Sequence, residues 1–168
     1  MAVVERLSGQ ITNRDAVPRV ANNPGTAAGA LKAAVGKVLT VATDDIASVY
    51  RYFTVPSSAT MHSLRLYSPD IGSAAAAADV GLYRTTADGG AVVDADFFAA
   101  AINLNAGAVN GQDCLLGTSG LPLSEMEMPL WQALGLTADP KVDYDVCLTA
   151  TGAIDAAVNT VLRGTWAQ

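Results

Sequence analysis

Apolar residues recur at every second position in short runs of this chain, and turn residues close most of the runs. The clearest run is Asp143 to Thr151, where Tyr144, Val146, Leu148 and Ala150 share one face of an extended backbone. A period of two sends successive side chains to opposite faces, so such a run is a strand with one side to bury. Further strand candidates are Lys37 to Thr43, Ile46 to Val55, Met61 to Tyr67, Val80 to Arg84 and Val158 to Trp166, rich in Val, Tyr, Phe and Thr. Asp44-Asp45, Pro56-Ser57-Ser58 and Asp88-Gly89-Gly90 supply turns between them. About seven or eight short strands with brief helices make a mainly β chain, and the pattern belongs to two-sheet sandwiches and jelly rolls.

Two of these runs carry specific expectations. In the second, Val49, Arg51, Phe53 and Val55 should share one face, and Tyr50, Tyr52 and Thr54 the other. In the third, His62, Leu64 and Leu66 should point inward, with Ser63, Arg65 and Tyr67 outward, which makes His62 a packed histidine.

Other stretches break the alternation. Residues 1–35 hold no sustained period and carry Pro18, Asn22-Asn23-Pro24-Gly25 and Gly29, so they read as an extended N-terminal arm ahead of a β-sandwich (jelly-roll) domain at 36–168. Ser73 to Ala78 suits a single helical turn or small-residue packing. Asp94 is placed to cap a short helix through Phe97, Phe98 and Ile102. Asn105 to Gly120, rich in Gly and Asn, reads as a surface loop. Pro129 to Gly135 signals one or two helical turns, with proline in the first turn and glycine as the stop.

Composition narrows the function. The 168 residues are 51% hydrophobic, enough for one domain with a real core, and no run reaches the roughly 18 apolar residues of a membrane span. Charges at Glu5 and Arg6 fall where a secretory signal needs its apolar core, so synthesis and use in a cytosol are expected. Cys114 and Cys147 are then expected as buried thiols. The net charge is −6, from 10 Lys and Arg against 16 Asp and Glu, and the cations are scattered singly, which argues against a nucleic-acid partner.

Catalysis finds little to work with. His62 is the one histidine, Gly117-Thr118-Ser119-Gly120 is one residue short of a nucleophile elbow, and no phosphate-binding or dinucleotide-binding glycine motif occurs. Asp94/Asp96 and Asp143/Asp145 are alternate aspartates of a kind that can surround calcium, but capping at Asp94 and solvent exposure at Asp145 are the simpler explanations. Tyr50, Tyr52, Tyr67 and Tyr83 could line a sugar-binding face, though strand aromatics more often serve packing or subunit contact. No catalytic, cofactor-binding or metal-binding residue is assigned.

The segments Met128 to Pro140 and Val142 to Ala150, together with Asp94-Ala95-Asp96-Phe97-Phe98, resemble small structural proteins encoded near the major capsid gene of tailed phages. The resemblance covers about the C-terminal half and is to the jelly-roll decoration, or cement, proteins. It implies a small symmetric oligomer, a dimer or trimer, that binds the major capsid protein on the outside of the virion, is made in the host cytoplasm, and reinforces the shell. An acidic chain is compatible with a position away from packaged DNA. Alternatives are another virion part, such as a head-completion or tail protein, and a carbohydrate-binding adhesin. Partner contacts are expected first in the arm and in the loop 105–120, since irregular segments on a rigid scaffold often carry recognition.

Overall fold

The computed structural model describes residues 7–25, 27, 29–71, 76–116 and 120–168. Eight strands carry the fold: β1 (Leu31–Leu39), β2 (Val49–Pro56), β3 (Thr60–Ser68), β4 (Ala77–Arg84), β5 (Val92–Asn103), β6 (Val109–Asp113), β7 (Asp143–Ala150) and β8 (Asn159–Ala167). Two short helices, α1 (Gly9–Asp15) and α2 (Leu130–Ala133), and a 3-10 turn at Thr86–Asp88 complete the regular structure. No helix among the described residues is long and apolar enough to cross a membrane.

The strands form two four-stranded sheets, a first in the order β1-β8-β3-β6 and a second in the order β2-β7-β4-β5. The antiparallel ladders β1/β8, β2/β7, β3/β6 and β4/β5 are the successive rungs of one long hairpin whose tip is the turn between β4 and β5. Ladders β3/β8 and β4/β7 join the rungs side by side, which rolls the hairpin into two facing sheets. This is a jelly roll, the architecture that the alternation predicts.

Between the sheets lies one apolar core. Leu64, Leu66 and Leu162 come from the first sheet, and Val80, Leu82, Tyr144, Val146 and Leu148 from the second, all at most 1% exposed. Burying a side chain of this size stabilises by about 1.5–3 kcal/mol before entropy is counted. The layers approach closely at Gly36, where a Cβ would collide with the Tyr52 backbone, and at Gly164, where it would meet the ring of Phe53, which stacks on Trp166 with centroids 6.1 Å apart. Within this layer Trp166 Nε1 is buried with no hydrogen-bond partner among the described residues.

Two bulges change the faces expected from strict alternation. Tyr52 is the extra residue of β2 against β7, so Tyr50, Phe53 and Val55 stand opposite the inward Leu148, Val146 and Tyr144. His62 is the extra residue of β3 against β8; Met61, Leu64 and Leu66 are buried, and His62 is exposed rather than packed. Its Nε2 lies 3.0 Å from the Gly25 carbonyl, pinning the N-terminal segment to the sheet. A bulge shifts the parity of every residue beyond it, which no count along the sequence reveals.

One further expectation needs correction, and two gain detail. The helix expected after Asp94 is strand β5; six of its residues, 94 to 99, stand against three of β4, 80 to 82, and along this irregular stretch the buried Phe98 and Ile102 fall four apart as they would on a helix. The stretch 105–120 contains an edge strand, β6, where Gly111 at φ +78 lies under the Tyr67 ring. The stretch 1–35 holds α1, capped by Ser8 through the Ile11 amide, and its last five residues already belong to β1. Ser73 to Ala75 and Gly117 to Ser119 lie outside the described residues, while Ala77 opens β4. The signal at Pro129 to Gly135 is borne out as one turn, α2, followed by Gly135 at φ +73.

Candidate interaction surfaces

A jelly roll has two outward faces, and the two here differ in chemistry. On the second sheet β7 places Asp145, Cys147 and Thr149 outward, and their neighbours on β4 are Tyr83, Gly81 and Asp79. The β5 excursion folds over Gly81, so closely that a Cβ there would collide with the Asp94 carbonyl oxygen and the Ala95 backbone. Arg51 covers the rest. Its Nη1 donates to Asp145 Oδ2 and to the Arg84 carbonyl, both at 2.8 Å, and Nη2 donates to the Gly90 carbonyl at 2.8 Å. The guanidinium also sits 5.5 Å above the Tyr83 ring centroid, and Thr54 Oγ1 donates to Asp145 Oδ1 at 2.7 Å.

Asp145 is therefore held in an ion pair with Arg51 rather than left to solvent, its side chain being only 13% exposed. This network ties the tip of the rolled hairpin, through Arg84 and Gly90, to β2 and β7. Beneath it Cys147 is fully buried and its thiol is pushed up to about 12 by burial. Cys114 is likewise free and buried, with its thiol pushed up to about 12, again by burial first. Both cysteines are thus the buried hydrophobes expected of them, and neither can serve as a thiolate near neutral pH.

The aspartate pairs have different settings. Asp94 caps no helix; its Oδ1 accepts the Asp96 amide within β5, and burial followed by the Asp96 side chain raises its pKa. Among the described residues, no group of three or more His, Cys, Asp or Glu is placed to hold a metal ion. The four tyrosines do not form one open face. Tyr50 and Tyr83 are each 6% exposed, with hydroxyls engaged by Asp44 and Thr149, and Tyr52 reaches Thr160 across the sandwich.

One end of the sandwich carries a cleft of about 390 Å³ between the 23–25 turn, Thr60 and α2, lined in part by Trp131, Gln132 and Gln168. A second cleft of about 260 Å³ lies beside it around Ser57, Asp139 and Lys141. Ser57 Oγ donates to Asp139 Oδ1, and this bond first, then the Lys141 amide, holds the Asp139 carboxyl below its ordinary range. A carboxylate so stabilised is a weak base, and the Ser57 oxygen also accepts the Val142 amide, so the pair clamps the loop before β7.

The outward face of the first sheet is bare by comparison. Arg65 on β3, Arg163 on β8 and Lys37 on β1 are exposed, as are Leu31, Val35 and Leu39 along β1, whose second edge pairs with no other strand among the described residues. These cations look scattered in the sequence; the β1/β8/β3 register gathers them. Their outward parity within the strands was the available signal, but it needs the pairing partners to be read.

No family model matches the chain, and no curated protein sequence matches it. Solved structures do share its fold. A chain in the capsid of Ralstonia phage GP4 aligns over 83% of this chain and 85% of its own length at 13% identity, with a TM-score of 0.55. A chain of the cyanophage Pam1 capsid asymmetric unit aligns over 91% and 96% at 14% identity, TM-score 0.50. A chain of the acid-stable capsid of Helicobacter pylori bacteriophage KHP30 aligns over 83% and 89% at 15% identity, TM-score 0.48. At these identities the likeness to the GP4 and Pam1 chains is one of fold.

Proposed function

We propose that this chain is a structural virion protein of a tailed phage that decorates the outer capsid surface and reinforces the shell. The observation that supports this best is the near whole-chain likeness to the GP4 and Pam1 capsid chains, where the match leaves little of either chain over. A surface role suits this reading, since many modest contacts repeated over a lattice can stabilise it by multivalency. The partner is the major capsid protein, with a dimer or trimer of this chain as the binding unit, and the net charge of −6 favours the side away from packaged DNA.

The test is made on particles. Virions assembled without the chain should lose heat resistance and regain it when the purified protein is added, and quantitative gels should give a copy number that scales with the capsid lattice. A few copies per particle would assign the chain to a head-completion or tail position. Particles unaffected by its removal would end the reading.

A further inference from the structure

The first sheet carries an electrical arrangement that its own fold does not use. Val35, Arg163 and Arg65 stand side by side in one cross-strand row on β1, β8 and β3, and Lys37, Val161 and Tyr67 form the row above. Lys37, Arg65 and Arg163 are exposed, and none of them forms an ion pair among the described residues. Arg65 has a single long bond, 3.4 Å, to the Gly111 carbonyl. Asp113 is its neighbour on β6, but Asp113 Oδ1 is engaged by the Leu115 and Leu116 amides at 2.8 and 3.0 Å. Two arginines directly opposite on paired strands repel, and Asp113 is the one carboxylate in their row among the described residues, so the face keeps a net positive charge.

That charge sits on an acidic chain and on one side of it. The outward side of the second sheet carries Asp79, Asp143 and Asp145, with Asp94 and Asp96 on its edge strand, and its central cation, Arg51, is neutralised by Asp145. Apolar side chains interleave with the free cations: Val35 is 66% exposed, and Leu31 and Leu39, at 64% and 58%, extend the stripe along β1. The two irregular segments expected to make contacts also converge here. The N-terminal segment runs into β1, and the Gly/Asn-rich stretch contains β6, which are the two edges of this sheet.

We propose that the outward face of the first sheet is the docking face of the protein, and that it takes an acidic protein surface with apolar residues between its carboxylates. Charge complementarity selects the partner: three free cations answer carboxylates, and Val35, Val161 and Tyr67 bury against apolar neighbours. Nucleic acid fits less well, because three cations neutralise only about three phosphates and the valines have no role on a phosphate backbone. The identification of that acidic surface with the shell exterior rests on the proposed function.

Co-sedimentation of the full-length protein with purified shells lacking it, at low and at high salt, tests the face. Wild type should bind and weaken as salt rises, and Arg65→Glu with Arg163→Glu should lower the affinity at least about tenfold. Lys141→Glu, a reversal in the loop before β7, should stay within about twofold. Lys37→Glu alone gives a second reading of the face should the double variant melt early. Equal binding by wild type and both face variants would overturn the docking face while leaving the proposed function standing, and so would an equal loss in Lys141→Glu. Wild type that fails to bind shells would overturn both. Binding of a short DNA duplex, abolished by the same two substitutions, would overturn the choice of partner.

Discussion

The two outward faces obey the same alternation rule and end in different states. On the second sheet the middle of the face is closed: Gly81, Tyr83 and Cys147 are buried under the β5 excursion and the Arg51 side chain. On the first sheet the corresponding middle positions, Arg65 and Arg163, stand in solvent. A polar outward face is therefore not one kind of surface. One is built inward on itself by hydrogen bonds and is part of the stability of the fold, and the other contributes little to stability and is available for contact.

Substitutions separate the two. Gly81→Val should cost most, about 3 kcal/mol in chemical denaturation, since the new side chain meets β5 backbone that cannot move without opening the β4/β5 ladder. A loss below one third of that would mean the β5 excursion is only loosely seated. Arg51→Ala should cost about 2 kcal/mol, because it strips Asp145 of its cation and frees two carbonyls, while the partly open setting keeps the figure below that of a fully buried pair.

A smaller effect with a defined sign belongs to Asp94. Its folded pKa is raised, by burial first and then by Asp96, so the folded state holds the proton more tightly than the unfolded chain does. Stability from this group is full at low pH and is lost as pH climbs from the ordinary carboxylate value through the raised one. Asp94→Asn should remove that decline, seen as a flatter pH profile of melting temperature. A decline of unchanged size in the variant would place the linkage elsewhere. Least of all should come from Arg163→Thr, which relieves the repulsion with Arg65 and should stabilise by at most about 0.5 kcal/mol. A clear destabilisation there would show that the first sheet's outward face is structural after all.

The fold class was legible because β7 and β8 are regular. Tyr144, Val146, Leu148 and Ala150 alternate without a bulge, and all four are buried as the pattern requires. Legibility failed where the chain departs from one-to-one pairing. His62 falls on a bulge, and β5 gains residues against β4, so apolar spacing there imitates a helix. β6 was hidden for another reason: Val109 to Asp113 is a polar edge with no apolar face of its own, recognisable as a strand only through its partner β3. The interaction surface was legible as two segments, 1–35 and 105–120, and not as a face, since Lys37, Arg65 and Arg163 become neighbours only through long-range register.

The rolled hairpin also sets a timetable. β1 takes its hydrogen bonds from β8, and Leu31 is 128 residues upstream of Asn159, the start of that partner. At translation rates of about 5–20 residues per second, β1 leaves the ribosome roughly 6 to 26 seconds before its partner exists. Through that interval Leu31, Val35 and Leu39 lack their partner strand, and an unpaired apolar segment of this kind is a template for pairing with other nascent chains. Lys32 and Lys37, within the same nine residues, place charge on that strand, a feature that opposes such pairing.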